Sequence, residues 1–292
     1  MLGKSVLAGL LLSLSSVIVS AQDVTAVPNE KDLYCAGTVT TEAIPRDTYL
    51  ITGEESSNKV VFNTGDLVYI NKGSSQGVKV GDQFSVIRPA ENTMHVDWTK
   101  WQSSILKKMG TVWDDEGRLV VTTVRPDLSI ARVSQGCNAL QRGDIVLPFM
   151  ERPAPPIRVD KNFDRFAPVT GKPLAMVITA KNFLAEVGTT DIVYVNLGNL
   201  QGVKVGDYFR IFHYTGTQHE SAYQTPRYAL DVDGDLGPTG GFGRAPVKHN
   251  WSNVPREVLG EGLVLRTGPN SATVLVTASN REIFAGDYVE LE

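Results

Sequence analysis

Short stretches of alternating hydrophobic and polar residues run through most of the chain. Val68 and Ile70 alternate with Tyr69, and Phe84 and Val86 continue the same pattern. Alternation over about four to eight residues predicts half-buried β-strands. Turn-forming residues separate these stretches at short intervals. The sequence therefore predicts an all-β protein built from small β-barrel or sandwich-like domains.

Residues 98–109 depart from this alternation. Their large apolar side chains have helical spacing, which predicts a short helix. The residues are Trp98, Trp101, Ile105 and Met109. Beyond them, alternation predicts separate strands over Gly110–Asp114 and Arg118–Arg125, divided by a turn at Asp115-Glu116-Gly117, and a further strand over Ser129–Ser134.

The amino terminus has the composition of a targeting segment. Met1–Lys4 carries one positive charge, Ser5–Ala21 is uncharged and rich in leucine, valine and alanine, and Val19-Ser20-Ala21 provides small residues for cleavage. This pattern predicts a secretory signal peptide over 1–21, with an uncleaved membrane anchor as the alternative. Residues 22–32 are predicted to form a polar arm, and no membrane-spanning segment is expected after cleavage.

The chain contains two cysteines, Cys35 and Cys137. In an exported protein they would meet an oxidising compartment, in which paired cysteines form disulfides. We therefore predict a Cys35–Cys137 disulfide. The alternative is two unrelated buried thiols.

An internal duplication organises the remaining sequence. Residues 66–84 and 191–209 are identical at 13 of 19 positions at an offset of 125 residues. Pro126–Pro148 parallels Pro269–Leu291 at an offset of 143, so the second copy contains 143 − 125 = 18 additional residues. We predict two tandem β domains, 33–149 and 173–292, joined by a proline-rich linker over 150–172.

Glycine and Gly-Asp pairs occupy equivalent positions in both copies, directly before predicted strands. Glycine permits positive φ in a turn, and the aspartate can accept hydrogen bonds from turn amides. This equivalence favours structural turns over catalytic or ligand-binding acids. The residues are Gly77, Gly81, Asp82, Gly143 and Asp144 in copy one and Gly202, Gly206, Asp207, Gly286 and Asp287 in copy two.

The repeated pattern D-[LI]-V-Y-[IV]-N-x-G-x-x-Q-G-V-K-V-G-D-x-F resembles the C-terminal β module of flagellar assembly protein T and of related periplasmic, LysM-associated envelope proteins. The matching positions are Gly73, Gly77, Val78, Gly81, Asp82 and Phe84, and Gly198, Gly202, Val203, Gly206, Asp207 and Phe209. The resemblance covers most of 46–149 and 173–292. It implies a small β domain with no known catalytic residues.

Three patterns bear on chemistry. Gly73–Gly77 matches the G-x-S-x-G nucleophile elbow, but the second copy has Leu200 in place of Ser75, so a turn explains both copies better. Asp231–Asp235 resembles the start of a calcium loop without the glycine and glutamate that an EF-hand requires, which favours a solvated acidic turn, with a calcium site of another kind as the alternative. The histidines lack zinc-site spacing. We predict no catalytic, cofactor or metal site.

The additional residues of copy two lie within a longer segment over about 213–258, which we call the insertion and which is rich in glycine and aromatic residues. Long loops of this kind are often functional. We treat the insertion as a candidate recognition loop, with a local lid over the barrel as the alternative. Its candidate residues are Tyr223, Tyr228, Asp231, Asp233, Phe242 and Trp251.

Charge narrows the function classes. The net charge of −4 over 292 residues gives no electrostatic basis for nucleic-acid binding. The sequence favours a periplasmic or cell-surface scaffold or adaptor that is not an enzyme and binds an envelope protein partner through its loops. The alternative is a peptidoglycan- or glycan-binding protein that uses the aromatic residues of the insertion.

Overall fold

The computed structural model describes residues 26–55, 57–93, 96–158, 163–214, 219–224, 247–252 and 254–292. The predicted signal peptide therefore lies outside the described residues. Helix α1 is Glu30–Tyr34 and helix α2 is Gln102–Met109. The strands of the first half are β1 (Thr38–Thr40), β2 (Leu50–Gly53), β3 (Val61–Phe62), β4 (Leu67–Ile70), β5 (Gln83–Pro89), β6 (Thr111–Val124), β7 (Ser129–Gly136), β8 (Leu140–Gln141) and β9 (Ile145–Pro148).

The second half repeats this arrangement. Its strands are β10 (Leu174–Ala180), β11 (Glu186–Val187), β12 (Ile192–Val195), β13 (Tyr208–Tyr214), β14 (His219–Gln224), β15 (Val247–Ser252), β16 (Arg256–Thr267), β17 (Ala272–Ser279), β18 (Ile283–Phe284) and β19 (Tyr288–Leu291). We call β1–β9 unit one and β10–β19 unit two. The prediction of an all-β fold is confirmed.

The two units share one strand order. Unit two is a closed barrel in the order β10-β12-β17-β16-β13-β19, and unit one follows β2-β4-β7-β6-β5-β9, with β1 added beside β6. In unit one a short contact joins the edge strands: Tyr49 and Ile145 form a bridge, and the Leu50 N–H donates to the Asp144 carbonyl at 2.9 Å. The duplication seen in the sequence therefore corresponds to a duplicated strand order.

Each unit buries its inward-facing residues in a core of its own. In unit one Val68 and Ile70 are fully buried, as the alternation predicts. In unit two Val193 and Val195 occupy the equivalent positions. These cores contain the residues that the alternating pattern assigns to the inside of the barrels.

The predicted turn at Asp115-Glu116-Gly117 is wrong. These residues lie within β6, which runs without interruption from Thr111 to Val124. Asp115 and Glu116 are buried, and each forms an ion pair with arginine. A strand accommodates acidic residues when their charges are compensated, and the sequence pattern alone does not reveal the distant arginines.

Helix α2 lies within the segment predicted as helical, although it begins at Gln102. Part of the predicted polar arm instead forms helix α1, because the Asn29 side chain accepts from the Asp32 N–H and Asp32 accepts in return from the Asn29 N–H. In the described residues, none of the helices has the length and apolar character needed to cross a membrane.

Candidate binding surfaces

A short N-terminal segment, residues 33–40, lies between the two units, and we call it the first strap. The disulfide between Cys35 and Cys137 attaches it to unit one, which confirms the predicted pairing. Within the strap, β1 pairs antiparallel with the start of β6, so that Thr38 faces Trp113. The first strap is therefore an added strand of unit one.

Side chains of unit two bind the carbonyl groups of this strap. The Tyr194 hydroxyl donates to the Ala36 carbonyl at 2.9 Å, and Thr273 Oγ1 donates to the Gly37 carbonyl at 3.3 Å. Ser271 Oγ donates to the Val39 carbonyl. Tyr194 is fully buried, and burial raises the pKa of its hydroxyl. These side chains of unit two thus provide hydrogen-bond donors for backbone carbonyl groups of the first strap.

A buried ion-pair network links the strap, the linker and both units. Both carboxylate oxygens of Asp115 accept from Arg152, at 2.9 and 3.0 Å. Asp115 Oδ2 also accepts from Arg266 of unit two at 3.3 Å and from the Gly37 N–H at 2.9 Å. Burial acts to raise the pKa of Asp115, but the two guanidinium groups and the Gly37 N–H outweigh it and hold that pKa below its ordinary value.

An apolar cluster completes the junction of the units. It combines strap residues such as Ala36 and Val39 with Val112 of β6. From unit two it includes outward-facing residues of the barrel wall: Ile178, Ile192, Tyr194, Tyr208, Leu263, Leu265 and Leu275. Burial of apolar side chains between two units stabilises their association, so the junction is a packed interface.

The connection between β5 and β6 extends from unit one onto unit two. Helix α2 packs against β10, and Gln102 Nε2 donates to the Ile178 carbonyl at 2.6 Å. Trp98 is 48% exposed and Trp101 is 66% exposed. The same connection thus holds the units together and presents two indole rings to solvent.

The equivalent connection of unit two contains the predicted insertion. Its described part is a hairpin in which β14 pairs with β15, and Trp251 of β15 is 65% exposed. Tyr223 lies in β14. The other candidate recognition residues, Tyr228, Asp231, Asp233 and Phe242, lie outside the described residues.

The predicted turn aspartates share one geometry. In each case an aspartate oxygen accepts from the backbone N–H three residues earlier, at 2.7–2.9 Å, and the preceding glycine has positive φ. The pairs are Gly81-Asp82, Gly143-Asp144, Gly206-Asp207 and Gly286-Asp287. Their carboxylates thus stabilise the turns that begin strands, which is a structural arrangement.

Ser75 lies in the 3-10 turn Ser74–Gln76, which ends at Gly77 with φ +86°. In unit two, Asn199–Gln201 and Gly202 repeat this turn. A nucleophile elbow joins a strand to a helix, whereas this turn leads toward β5. The residues of the G-x-S-x-G match are therefore arranged as a turn.

A second buried acidic cluster lies in unit one. The Asp144 carboxylate accepts hydrogen bonds from Nε and Nη2 of Arg88, both at 2.7 Å. Nη1 of Arg88 lies 3.3 Å from Oε1 of Glu116. Burial, together with the nearby carboxylates of Asp144 and Asp114, raises the pKa of Glu116 to about 7 although Arg88 opposes the shift. Among the described residues, no group of three or more His, Cys, Asp or Glu side chains is arranged to hold a metal ion.

Sequence reasoning missed two features of these surfaces. Helical spacing predicts that Trp98 and Trp101 lie within a short helix, whereas both precede α2 and are exposed. The partners of Asp115 were also missed, because Arg152 and Arg266 are distant in the sequence. The one available signal was the unusual position of three consecutive acidic residues beside hydrophobic strand residues.

Comparison with known proteins adds no identification. No family model matches the chain, and a search of curated proteins finds no match.

Proposed function

We propose that this chain is an exported, non-catalytic scaffold or adaptor of the cell envelope that binds a protein partner through the connections carrying its exposed tryptophans. One observation carries the proposal. The equivalent connections of both units present large aromatic side chains to solvent: Trp98 and Trp101 in one and Trp251 in the other. Tryptophan is enriched among the residues that dominate binding energy in protein interfaces.

The junction supports this function because a scaffold requires a fixed geometry. The Asp115 network and the contacts of Tyr194 join residues of both units through the first strap. The junction therefore joins the two units from which the two connections extend. The disulfide supports export, because structural disulfides persist in oxidising compartments. The resemblance to the flagellar assembly module remains part of this proposal, as does a periplasmic or surface location.

The proposal is tested by affinity purification from chemically cross-linked cells. The natural chain should recover a stoichiometric envelope protein, and a Trp98→Ala/Trp101→Ala variant or a Trp251→Ala variant should recover much less. Val60→Ala is a suitable control, because Val60 is 67% exposed and lies on neither connection. Equal recovery by all variants would contradict binding through these connections.

Glycan binding is the second candidate function, favoured by the same exposed indole ring of Trp251. Co-sedimentation with purified sacculi tests it. Depletion of the natural chain from solution, with loss of depletion in Trp251→Ala, would favour a glycan ligand over a protein partner.

A further inference from the structure

Unit two binds the first strap with one outer face of its barrel. Unit one has an equivalent face. In unit two, cross-strand pairing aligns Tyr194 with Thr273 and Thr273 with Arg266. In unit one, the same pairing aligns Tyr69 with Ile130 and Ile130 with Thr123. These positions are related by the repeat offsets of 125 and 143 residues.

The two faces differ in what covers them. Tyr194 is fully buried against the first strap. Tyr69 is partly exposed, and its hydroxyl has no hydrogen-bond partner among the described residues. Around it lie other outward-facing apolar residues that are exposed or partly exposed, and Arg132, whose guanidinium donates to the Gly65 carbonyl, lies between two of them in the cross-strand register. We call this set the Tyr69 face: Ile51, Leu67, Tyr69, Val120 and Ile130.

Unit two, in turn, carries an equivalent of the first strap. Residues 163–169, the second strap, run antiparallel to the start of β16: the Arg165 carbonyl accepts from the Val258 N–H at 2.7 Å, and the Ala167 carbonyl accepts from Arg256 Nε at 3.0 Å. The start of β16 corresponds to the start of β6, where the first strap pairs, at the offset of 143 residues.

The second strap exposes two large apolar side chains beside the exposed charged residues Asp164 and Arg165. Phe166 and Val169 are each 57% exposed, whereas Ala167 is buried against Phe212 and Val258 of the barrel. Exposed Phe166 and Val169 match the apolar character of the Tyr69 face. Exposed apolar residues grouped on one short segment make that segment a candidate site of association.

We propose that the Tyr69 face of one chain binds the second strap of another copy of the same chain, so that chains associate head to tail. Within one chain, the strap of unit one already binds the equivalent face of unit two. Repeating this contact between chains uses one face and one strap per chain. Such a heterologous contact leaves a free face and a free strap at the two ends, so it continues into longer assemblies or closes into a ring.

The proposal does not depend on the proposed partner, because the Tyr69 face lies outside the tryptophan-bearing connections. Analytical ultracentrifugation of the natural chain, with its disulfide intact, should show a mean mass that rises with concentration. Tyr69→Asp and Phe166→Asp should each weaken association about tenfold or more, as expected for central interface residues. Val60→Asp, which also replaces an exposed apolar residue, should associate like the natural chain.

Mixing the two weakened variants provides the decisive experiment. The Tyr69→Asp chain retains its second strap, and the Phe166→Asp chain retains its Tyr69 face. At a concentration near the dissociation constant of the natural chain, each variant alone should therefore be mostly monomeric, whereas the mixture should form a one-to-one dimer. A photo-reactive residue at position 69 of the otherwise natural chain should cross-link to residues 163–169 of a second copy, which also covers the case in which an aspartate variant fails to fold.

A natural chain that is monomeric at every concentration would overturn the proposal. So would association that Tyr69→Asp leaves unchanged, a mixture that forms no dimer, or a cross-link to another segment. None of these outcomes tests the proposed function, because capture of an envelope protein through the tryptophan-bearing connections is measured in a separate experiment.

Discussion

Replacing Asp115 by asparagine should selectively weaken the junction between the units. The substitution preserves the size of the side chain and one carbonyl acceptor for the Gly37 N–H, but it removes the negative charge. Arg152 and Arg266 would then lie together without their shared counter-charge. The perturbation therefore tests electrostatic compensation rather than packing.

The size of the expected loss in unfolding free energy follows from the burial of the ion-pair network around Asp115. Removing one partner of a buried ion pair costs about 3–5 kcal/mol. The Asp115 side chain is 4% exposed, but the side chains of Arg152 and Arg266 are 17% and 29% exposed, so water can partly solvate their freed charges. We therefore expect Asp115→Asn to lower the free energy of unfolding at pH 7 by about 3 kcal/mol, at the low end of that range.

Equilibrium urea unfolding, followed by circular dichroism and tryptophan fluorescence, measures this loss. Asp114→Asn is the matched control: Asp114 is adjacent on the same strand, burial raises its pKa, and its Oδ1 has no hydrogen-bond partner among the described residues. The control should be neutral or slightly stabilising at pH 7.

The pH dependence provides a second check on Asp115. Because the folded-state pKa of Asp115 lies below its ordinary value, its stabilising contribution is present above about pH 4 and is lost as the pH falls through the folded-state pKa. The difference between the natural chain and Asp115→Asn should therefore shrink in acid. A loss below about 0.5 kcal/mol at pH 7, or one equal to that of Asp114→Asn, would show that Asp115 is not the counter-charge that stabilises the junction.

Three further predictions concern stability. A chain with both Cys35→Ser and Cys137→Ser should lose about 4–5 kcal/mol of unfolding free energy by urea titration, because the bridge closes a long loop with a sequence separation of 102; a loss under about 1 kcal/mol would contradict this. The free energy of unfolding of the natural chain should fall by at most about 3 kcal/mol as the pH rises from 4.5 to about 7, because charging buried Glu116 is unfavourable. Glu116→Gln should reduce this dependence on pH, and an unchanged dependence would contradict the prediction. Tyr194→Phe should lower the free energy of unfolding by about 1 kcal/mol, because the hydrogen bond to the Ala36 carbonyl is lost, whereas Tyr69→Phe should have no effect. Equal shifts of the thermal midpoint in the two variants would contradict the different environments of the two tyrosines.

The strand content of the fold could be predicted because each unit buries its own alternating residues. Val68 and Ile70 are buried for the reason that alternation gives: successive side chains of a strand point to opposite faces. The duplicated turns were also predictable, since Gly-Asp pairs combine positive φ with a local acceptor.

Interactions between distant segments could not be predicted in the same way. Tyr69 and Tyr194 lie in nearly identical sequences, yet only Tyr194 is fully buried, because the first strap covers it. Alternation also failed at Asp115, whose burial depends on arginines from the linker and from unit two. Local patterns determine strands, whereas the junction depends on contacts between residues far apart in the chain.

The candidate recognition residues also differ in how far the sequence alone predicts their exposure. Aromatic composition drew attention to the insertion, and Trp251 is indeed exposed on its hairpin. The exposure of Trp98 and Trp101 depends on how their connection packs on unit two, whereas their spacing alone predicts only a short helix. The shared strand order of the two units makes the two connections equivalent.

The most direct test of the proposed function is quantitative mass spectrometry of proteins captured from cross-linked cells by the natural chain and by a Trp98→Ala/Trp101→Ala/Trp251→Ala variant. We expect the natural chain to capture one dominant envelope protein. The variant should lose its recovery while its far-ultraviolet circular dichroism is unchanged. Recovery of the same proteins in the same amounts by both chains would contradict binding through the tryptophan-bearing connections.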